Sequence, residues 1–542
     1  MLSRRAAVAG IAVAIAAACA PTTIDAPEEY VDVPDELVLP ETAPPADGGS
    51  LTAYGCTIQS LNPQQTRDTC SGRVISQLFA GLVELDPASG EPRPLVAASI
   101  DTDDAVVWDI ELAEGWTFHD GEPVTARSFA DAWNFAAIPA NDVRNREFFA
   151  DIAGYDAVQQ GLARSLHGVE VVDELTLRVT LDQPFAPFLA KLADSTFAPL
   201  PTIAYEDMGS FGRAPVGNGR YVLTTFDPDR QVVLTRYDEY GGNDPALPRE
   251  VTFIIYTGDA ALETALQDVQ AGALDILDNL PAGGGATLAD DFSGGLVERP
   301  TSSFTFLGLP LYVPEFDDLD VRIALSLAID REAIIDEVFN GSVQPARAII
   351  PPVLEAHRPD ACEFCRFDPE AAVERFEAAG GISEPVTVLF NADGGHEPWV
   401  TAVAQQWRDV LGIESIEFET MDLSPYVQHL TTERATGPFR LGWALSYLSP
   451  EYALSSLFRA GGAYNFFGYD NAAFDEALNV ANASVPADAD EQYQAAEDVV
   501  LTDMPLIPLW YSQTAAAHGP RVANVIVDAT SMLRVELVEV VG

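Results

Sequence analysis

The stretch from Val106 to Ala136 constrains this chain more than any other, because its hydrophobic period changes within a few residues. Val106, Trp108, Ile110 and Leu112 alternate with Val107, Asp109 and Glu111, the period of two expected of a strand with one buried face. His119-Asp120-Gly121 then predicts a tight turn, since glycine tolerates the positive φ that such turns demand. Thr125 is a candidate N-cap, and Phe129, Trp133 and Ala136 recur behind it at helical spacing. Strand, turn and capped helix by themselves fit many folds, so the rest of the chain has to narrow them.

The same two periods recur downstream. Leu175, Leu177, Val179 and Leu181 alternate with Thr176, Arg178 and Thr180, a second one-faced strand. Val251 to Tyr256 is a short β-branched strand ahead of a helical segment from Ala260 to Ala271. Asp320 to Gly341 predicts two amphipathic helices, the second capped by Asp330 and stopped by a left-handed Asn340-Gly341.

At 542 residues the chain is expected to fold as two or three domains, and 48% hydrophobic with 21% charged residues marks it as globular. Its 29 basic and 83 acidic residues give a net charge of −54, a surface that repels phosphate backbones and excludes nucleic acid as a partner. That charge reads as a solvated acidic surface, of the kind a salt-rich habitat favours; a preference for cationic ligands is the rival reading. Lys191 is the only lysine and has no glycine around it, which excludes a Walker A phosphate loop. Pro215 to Tyr221 is rich in glycine but lacks the third glycine and following helix of a dinucleotide site. Ala282 to Ala286 reads as a flexible loop rather than a phosphate cradle, because nothing basic follows it. The six histidines are scattered without a His-x-x-x-His pair, and no Gly-x-Ser-x-Gly elbow occurs. His119 is read as a turn residue supporting the fold, and neither a metal nor a cofactor is expected. A glycosidase carboxylate pair follows no spacing rule and stays open on sequence.

The amino-terminal segment reads as an address. Arg4 and Arg5 precede an apolar run from Ala6 to Ala18 that is too short to span a bilayer. Ala16-Ala17-Ala18-Cys19 resembles a bacterial lipobox, which implies cleavage before Cys19 and lipidation of its sulfur at the outer face of the membrane. Lipoboxes usually carry Leu where Ala16 stands, so an ordinary signal-peptidase site is the alternative. Residues 20–49 are acidic and rich in proline, a tether with too little apolar surface to fold. Export makes the other four cysteines expected disulfides, Cys56 with Cys70 and Cys362 with Cys365. The Cys-x-x-Cys spacing of the second pair also suits a redox motif or half a zinc site, but no second such pair stands near it.

Val74 to Leu82, Gly115 to Phe129, Gly272-x-x-Asp275-Ile276, Asp320 to Gly341, Phe367 to Gly380, Phe439 to Asp475 and Met504 to Tyr511 occur in the order found in one family. From about Leu51 to its end the chain resembles the family 5 solute-binding proteins of ABC importers. Asn391 to His396 with Trp399 is similar to the actinobacterial oligopeptide-binding branch in particular. The resemblance implies a bilobed α/β fold, periplasmic-binding-protein-like of type II, with an extra inserted subdomain. By that layout one lobe combines 50–80, 213–312 and 508–542, the insert is 81–212, and the other lobe is 313–507. It implies an exported, lipid-anchored monomer that captures oligopeptides in its cleft, hands them to a permease with its ATPase subunits, and performs no chemistry on them.

Trp443, Tyr447, Asn465 and Tyr54 are the expected pocket residues. In peptide-binding members an Asp three residues after the Trp meets the ligand ammonium; here that position is Ser446, whose hydroxyl cannot supply the charge. Either another carboxylate substitutes or the ligand lacks an ammonium group. A nickel chelate, an oligosaccharide, or a sensor role without transport stand as alternatives to peptide capture.

Overall fold

The computed structural model describes residues 48–541 apart from 67, 259, 281–294, 384, 393–394 and 463. The signal segment 1–19 with Cys19, nearly all of the tether 20–49 and the glycine-rich stretch 282–286 lie outside the described residues.

Val107–Leu112 is a strand that buries Trp108, Ile110 and Leu112. Gly121 takes a φ of 88° in the turn that follows. Thr125 caps helix Ala126–Ala137 and its amide donates in return to Ser128 Oγ at 3.1 Å. The helix buries Phe129, Trp133 and Ala136; Trp133 meets Phe197 edge-on at 5.4 Å and donates its indole N–H to the Phe197 carbonyl at 3.0 Å. The strand sits in an antiparallel four-stranded sheet with Ala97–Asp101, Thr176–Thr180 and Val169–Val171. His119 braces this unit: Nδ1 accepts from the Gly217 amide at 3.3 Å and Nε2 reaches the Gly219 carbonyl at 3.1 Å, while burial holds the ring toward its neutral form.

A larger sheet, of eleven strands among the described residues, runs through the molecule. Its middle is formed by two long antiparallel strands, Gly295–Gly308 with 14 residues and Leu506–His518 with 13. At ~3.3 Å per residue each reaches roughly 40 Å, about twice an ordinary strand. Their pairing runs from Gly295 opposite His518 to Pro300 opposite Gln513, breaks, resumes with Phe304 opposite Tyr511, and after a one-residue shift between Thr305 and Phe306 ends with Gly308 opposite Leu506. The break has a local cause. Pro300 has no amide hydrogen, and the Thr301 hydroxyl takes the Ser512 carbonyl while accepting from the Ser303 amide, both at 3.2 Å. On one side of the break Ile276–Leu277 pairs with His518 and Ala517, and Ser50–Gly55 continues the sheet in parallel. On the other side Phe439–Ala444 pairs with Ser303 to Gly308.

Helices cover both halves. Leu319–Leu327 and Arg331–Ile334 are separated by Asp330, which accepts the Ala333 amide at 3.0 Å as the sequence predicts. The second helix then widens into a π turn over Ile335–Phe339 before Asn340 stops it at a φ of 51°, a widening that periodicity does not reveal. Helix Glu397–Leu411 buries Trp399, Val403 and Trp407, and the Trp407 indole donates to the Leu325 carbonyl at 2.9 Å.

Three ties close the chain on itself. Cys56 is bonded to Cys70 and Cys362 to Cys365, with Cα separations of 5.5 and 5.4 Å. The first clamps the loop after Ser50–Gly55 to the opening turn of helix Thr69–Leu78. Asp275 joins three distant segments: Oδ2 accepts from the Thr52 amide and hydroxyl at 2.8 Å each, and Oδ1 pairs with Arg521 at 3.1 Å.

Candidate functional site

In open α/β sheets ligands bind beyond the carboxyl ends of parallel strands, where diverging connections leave a crevice. This sheet has two such edges. In one half Ser50–Gly55 lies parallel to Glu250–Ile255 and Ile276–Leu277, and their ends carry Tyr54, Tyr256 and Asp278. In the other Val386–Asn391 lies parallel to Ile416–Met421 and Phe439–Ala444, and their ends carry Asn391, Asp422 and residues 444–447.

Three of the five expected pocket residues share the second edge. Trp443 stands opposite Phe304 in the ladder and is 7% exposed. Its ring stacks on Tyr452 at 5.5 Å and meets Tyr464 at 4.7 Å, and its indole N–H is enclosed without an acceptor. Ser446 is exposed and donates to the Tyr452 hydroxyl at 2.9 Å. Tyr447 points inward and donates to Glu451 Oε2 at 2.5 Å. Burial, reinforced by Glu451, drives the Tyr447 hydroxyl well above the ordinary phenol range, and burial likewise raises Glu451. Asn465 holds its own loop: its amide donates to the Arg459 and Tyr469 carbonyls at 3.2 and 2.7 Å and accepts from the Tyr469 amide at 3.1 Å.

Tyr54 lies in the other half, in a small apolar cluster with Ala265, Val269, Leu274 and Leu277. It stacks on Tyr256 at 5.8 Å, with the Arg73 guanidinium 5.7 Å from its ring centre. Arg73 reaches from helix Thr69–Leu78 to Asp278, Nε to Oδ2 at 2.7 Å, with 5% and 0% of the two side chains exposed. Sequence reading missed this pair, and also Tyr452 and Tyr464. No spacing rule connects a residue in one helix to the end of a strand so far along the chain, and the tyrosines carry no motif. Among the described residues no group of three His, Cys, Asp or Glu side chains could hold a metal ion.

Residues 91–465, well over half of the chain, match the family of bacterial extracellular solute-binding proteins, family 5. The chain belongs to that family. The oligopeptide-binding protein OppA of Bacillus subtilis is 26% identical to this solute-binding protein, over 87% of the chain and 89% of its own length. The periplasmic oligopeptide-binding protein OppA of Salmonella typhimurium is also 26% identical, over 95% of the chain and 94% of its own length. The unliganded open form of the periplasmic murein tripeptide binding protein MppA superposes with a TM-score of 0.84 at 25% identity, covering 94% of this chain and 99% of that one.

The fold of this solute-binding protein is accordingly bilobed and α/β, and no helix among its described residues is long and apolar enough to cross a membrane. Its single lysine marks a seam between the residues around 148–191 and the Ser446 edge. Lys191 pairs with Asp151 at 2.5 Å and its ammonium lies 5.7, 5.8 and 6.0 Å from the ring centres of Phe148, Phe185 and Tyr447. Beside it the Ala186 amide donates to the Asn482 carbonyl at 2.8 Å.

Proposed function

We propose that this chain is the extracytoplasmic binding component of an ABC importer, and that it captures oligopeptides between its lobes for delivery to a membrane permease with its ATPase subunits. The observation that carries the reading is the pair of carboxyl edges lying on either side of the break in the two long strands. A hinge at that break lets the two edges approach one another over a ligand. The relatives that match nearly the full chain are oligopeptide-binding proteins, which supports a peptide as the solute.

The lobes we propose comprise 50–80, 213–312 and 508–542 on one side and 313–507 on the other, with 81–212 inserted into the first. The two long strands are shared where they cross. Trp443, Ser446 and Tyr54 face the ligand, while Tyr447 and Asn465 stiffen the wall behind them. Aromatic walls give contact area at low entropy cost, which suits a site that accepts varied side chains. The protein acts as a monomer held by a lipid on Cys19, and it leaves its ligand chemically unchanged.

Native mass spectrometry of gently purified protein, with fragmentation of whatever co-purifies, tests this reading. A ladder of heterogeneous peptides is expected. A cleft that arrives empty and stays empty against a random peptide library would refute it and move the assignment to another solute or to a sensor.

A further inference from the structure

Arg73 and Asp278 form an ion pair that is enclosed but not satisfied. The residues are 5% and 2% exposed. Opposite charges taken out of water at that depth are favourable only when their remaining donors and acceptors are also met. Here Nε approaches Asp278 Oδ2 without the alignment of a hydrogen bond, Nη1 has no acceptor, and neither oxygen of Asp278 has a donor. The neighbours do not repair this. Tyr54 offers its ring face to the guanidinium, and the Tyr256 hydroxyl is taken by Asp268 at 2.7 Å. Burial outweighs Arg73 in setting the Asp278 carboxyl, which is held above its ordinary range.

The pair also has a definite address. Asp278 is the residue that follows Ile276–Leu277 at the carboxyl edge of the parallel strands, and Arg73 is brought there by the helix that the Cys56–Cys70 bond clamps. At the Ser446 edge the buried guanidinium, Arg440, is already bonded to Asn391 Oδ1 at 3.2 Å. The Ser446 hydroxyl is engaged with Tyr452, and Tyr447 with Glu451. Arg73 thus offers a ligand unmet donors, from a guanidinium whose planar fork matches a carboxylate.

We propose that Arg73, backed by Asp278, is a subsite for a carboxylate of the ligand, so that this protein selects peptides by an acidic group. The inference rests on the peptide reading above. The carboxylate comes from the peptide's carboxyl end or from an acidic side chain. A net charge of −54 weighs against each added carboxylate at long range, and salt screens that effect more than it screens an enclosed contact. The advantage of an acidic peptide over its counterpart without the carboxylate should thus widen as salt is raised.

Calorimetric titration of the intact protein at low and high salt tests this with two matched pairs: tetra-alanine against its amide, and Ala-Ala-Glu-Ala amide against Ala-Ala-Gln-Ala amide. The acidic member of at least one pair should bind about tenfold tighter, the worth of one charge-assisted contact, and the gap should widen with salt. The first pair reports the carboxyl end and the second an acidic side chain. In the double variant Arg73→Met/Asp278→Asn, which removes both charges together, the preference should fall to within about twofold. A preference that survives in the double variant overturns the subsite. Equal binding within both pairs by the unaltered protein also overturns it while leaving the peptide reading intact; binding of no peptide overturns both. Should the double variant fail to fold by circular dichroism, the selectivity and salt dependence of the unaltered protein decide alone.

Discussion

Replacing Asp275 tests how three segments distant in sequence are held together. The carboxylate is 4% exposed as a side chain and meets Thr52 twice through Oδ2, while Oδ1 meets Arg521, whose own side chain is 47% exposed. The Arg521 contact therefore sits in screened surroundings and contributes at most about 1 kcal/mol. The Thr52 contacts differ, because an enclosed strand amide that loses its acceptor costs ~1–3 kcal/mol on top of the bond itself. Asp275→Ala removes all three contacts and should cost about 3 kcal/mol, whereas Asp275→Asn keeps an oxygen for the Thr52 amide and should cost about 1 kcal/mol. The assay is urea unfolding followed by tryptophan fluorescence, reading the midpoint and slope of each transition separately, since two lobes need not unfold together. If Asp275→Ala unfolds within ~0.5 kcal/mol of the unaltered protein, or no more easily than Asp275→Asn, the stitching argument is wrong.

Other expectations follow from single contacts. Cys56→Ser/Cys70→Ser opens a loop closed over 14 residues and should lower stability by ~3 kcal/mol in the same urea assay. Trp443→Phe deletes an enclosed N–H that has no acceptor, so stability should hold or rise by up to ~1 kcal/mol while affinity for a co-purified ligand falls about fivefold by calorimetry, if the ligand supplies that acceptor. Glu536 gives a pH signature: burial would raise its carboxyl, but Arg534 and Arg220 outweigh burial and hold it below the ordinary range. Its stabilising contribution is thus complete above the unfolded carboxyl value of about 4.3 and is lost as pH falls through the lower folded value. Glu536→Gln should accordingly flatten the acid side of a plot of urea midpoint against pH.

The elements that local physics specifies were legible in the sequence. The period-two strand at Trp108, the Thr125 and Asp330 caps and the left-handed stop at Asn340 each follow from a few adjacent residues. The family was legible because the same segments recur in order, each too weak alone. What stayed hidden depends on partners remote in sequence. A strand looks alike to a periodicity argument whether it serves one lobe or two, so nothing before the structure indicated that Gly295–Gly308 runs through both halves with a break after Pro300. Asn465 was expected to line the pocket, and its amide is engaged with its own loop, a set of partners that no motif specifies. Arg73 and Asp278 meet only because a helix and a strand end converge, and neither residue belongs to a motif.

Lys191 has a consequence for how this protein can be handled and watched. Apart from its amino end, the chain offers amine-directed chemistry a single address, and 10% of that side chain is exposed. Surface immobilisation, biotinylation and cross-linking through lysine will find almost nothing to react with in the folded protein, and a lysine-specific protease will have one bond to cut. The same scarcity makes the residue a reporter free of background. One wall of its aromatic enclosure is Tyr447, next to the Ser446 edge, and the others are Phe148 and Phe185. Any movement that parts those walls uncovers the only reactive amine on the molecule's flank, so a single modification rate, followed in bulk by mass alone, times the opening of the seam.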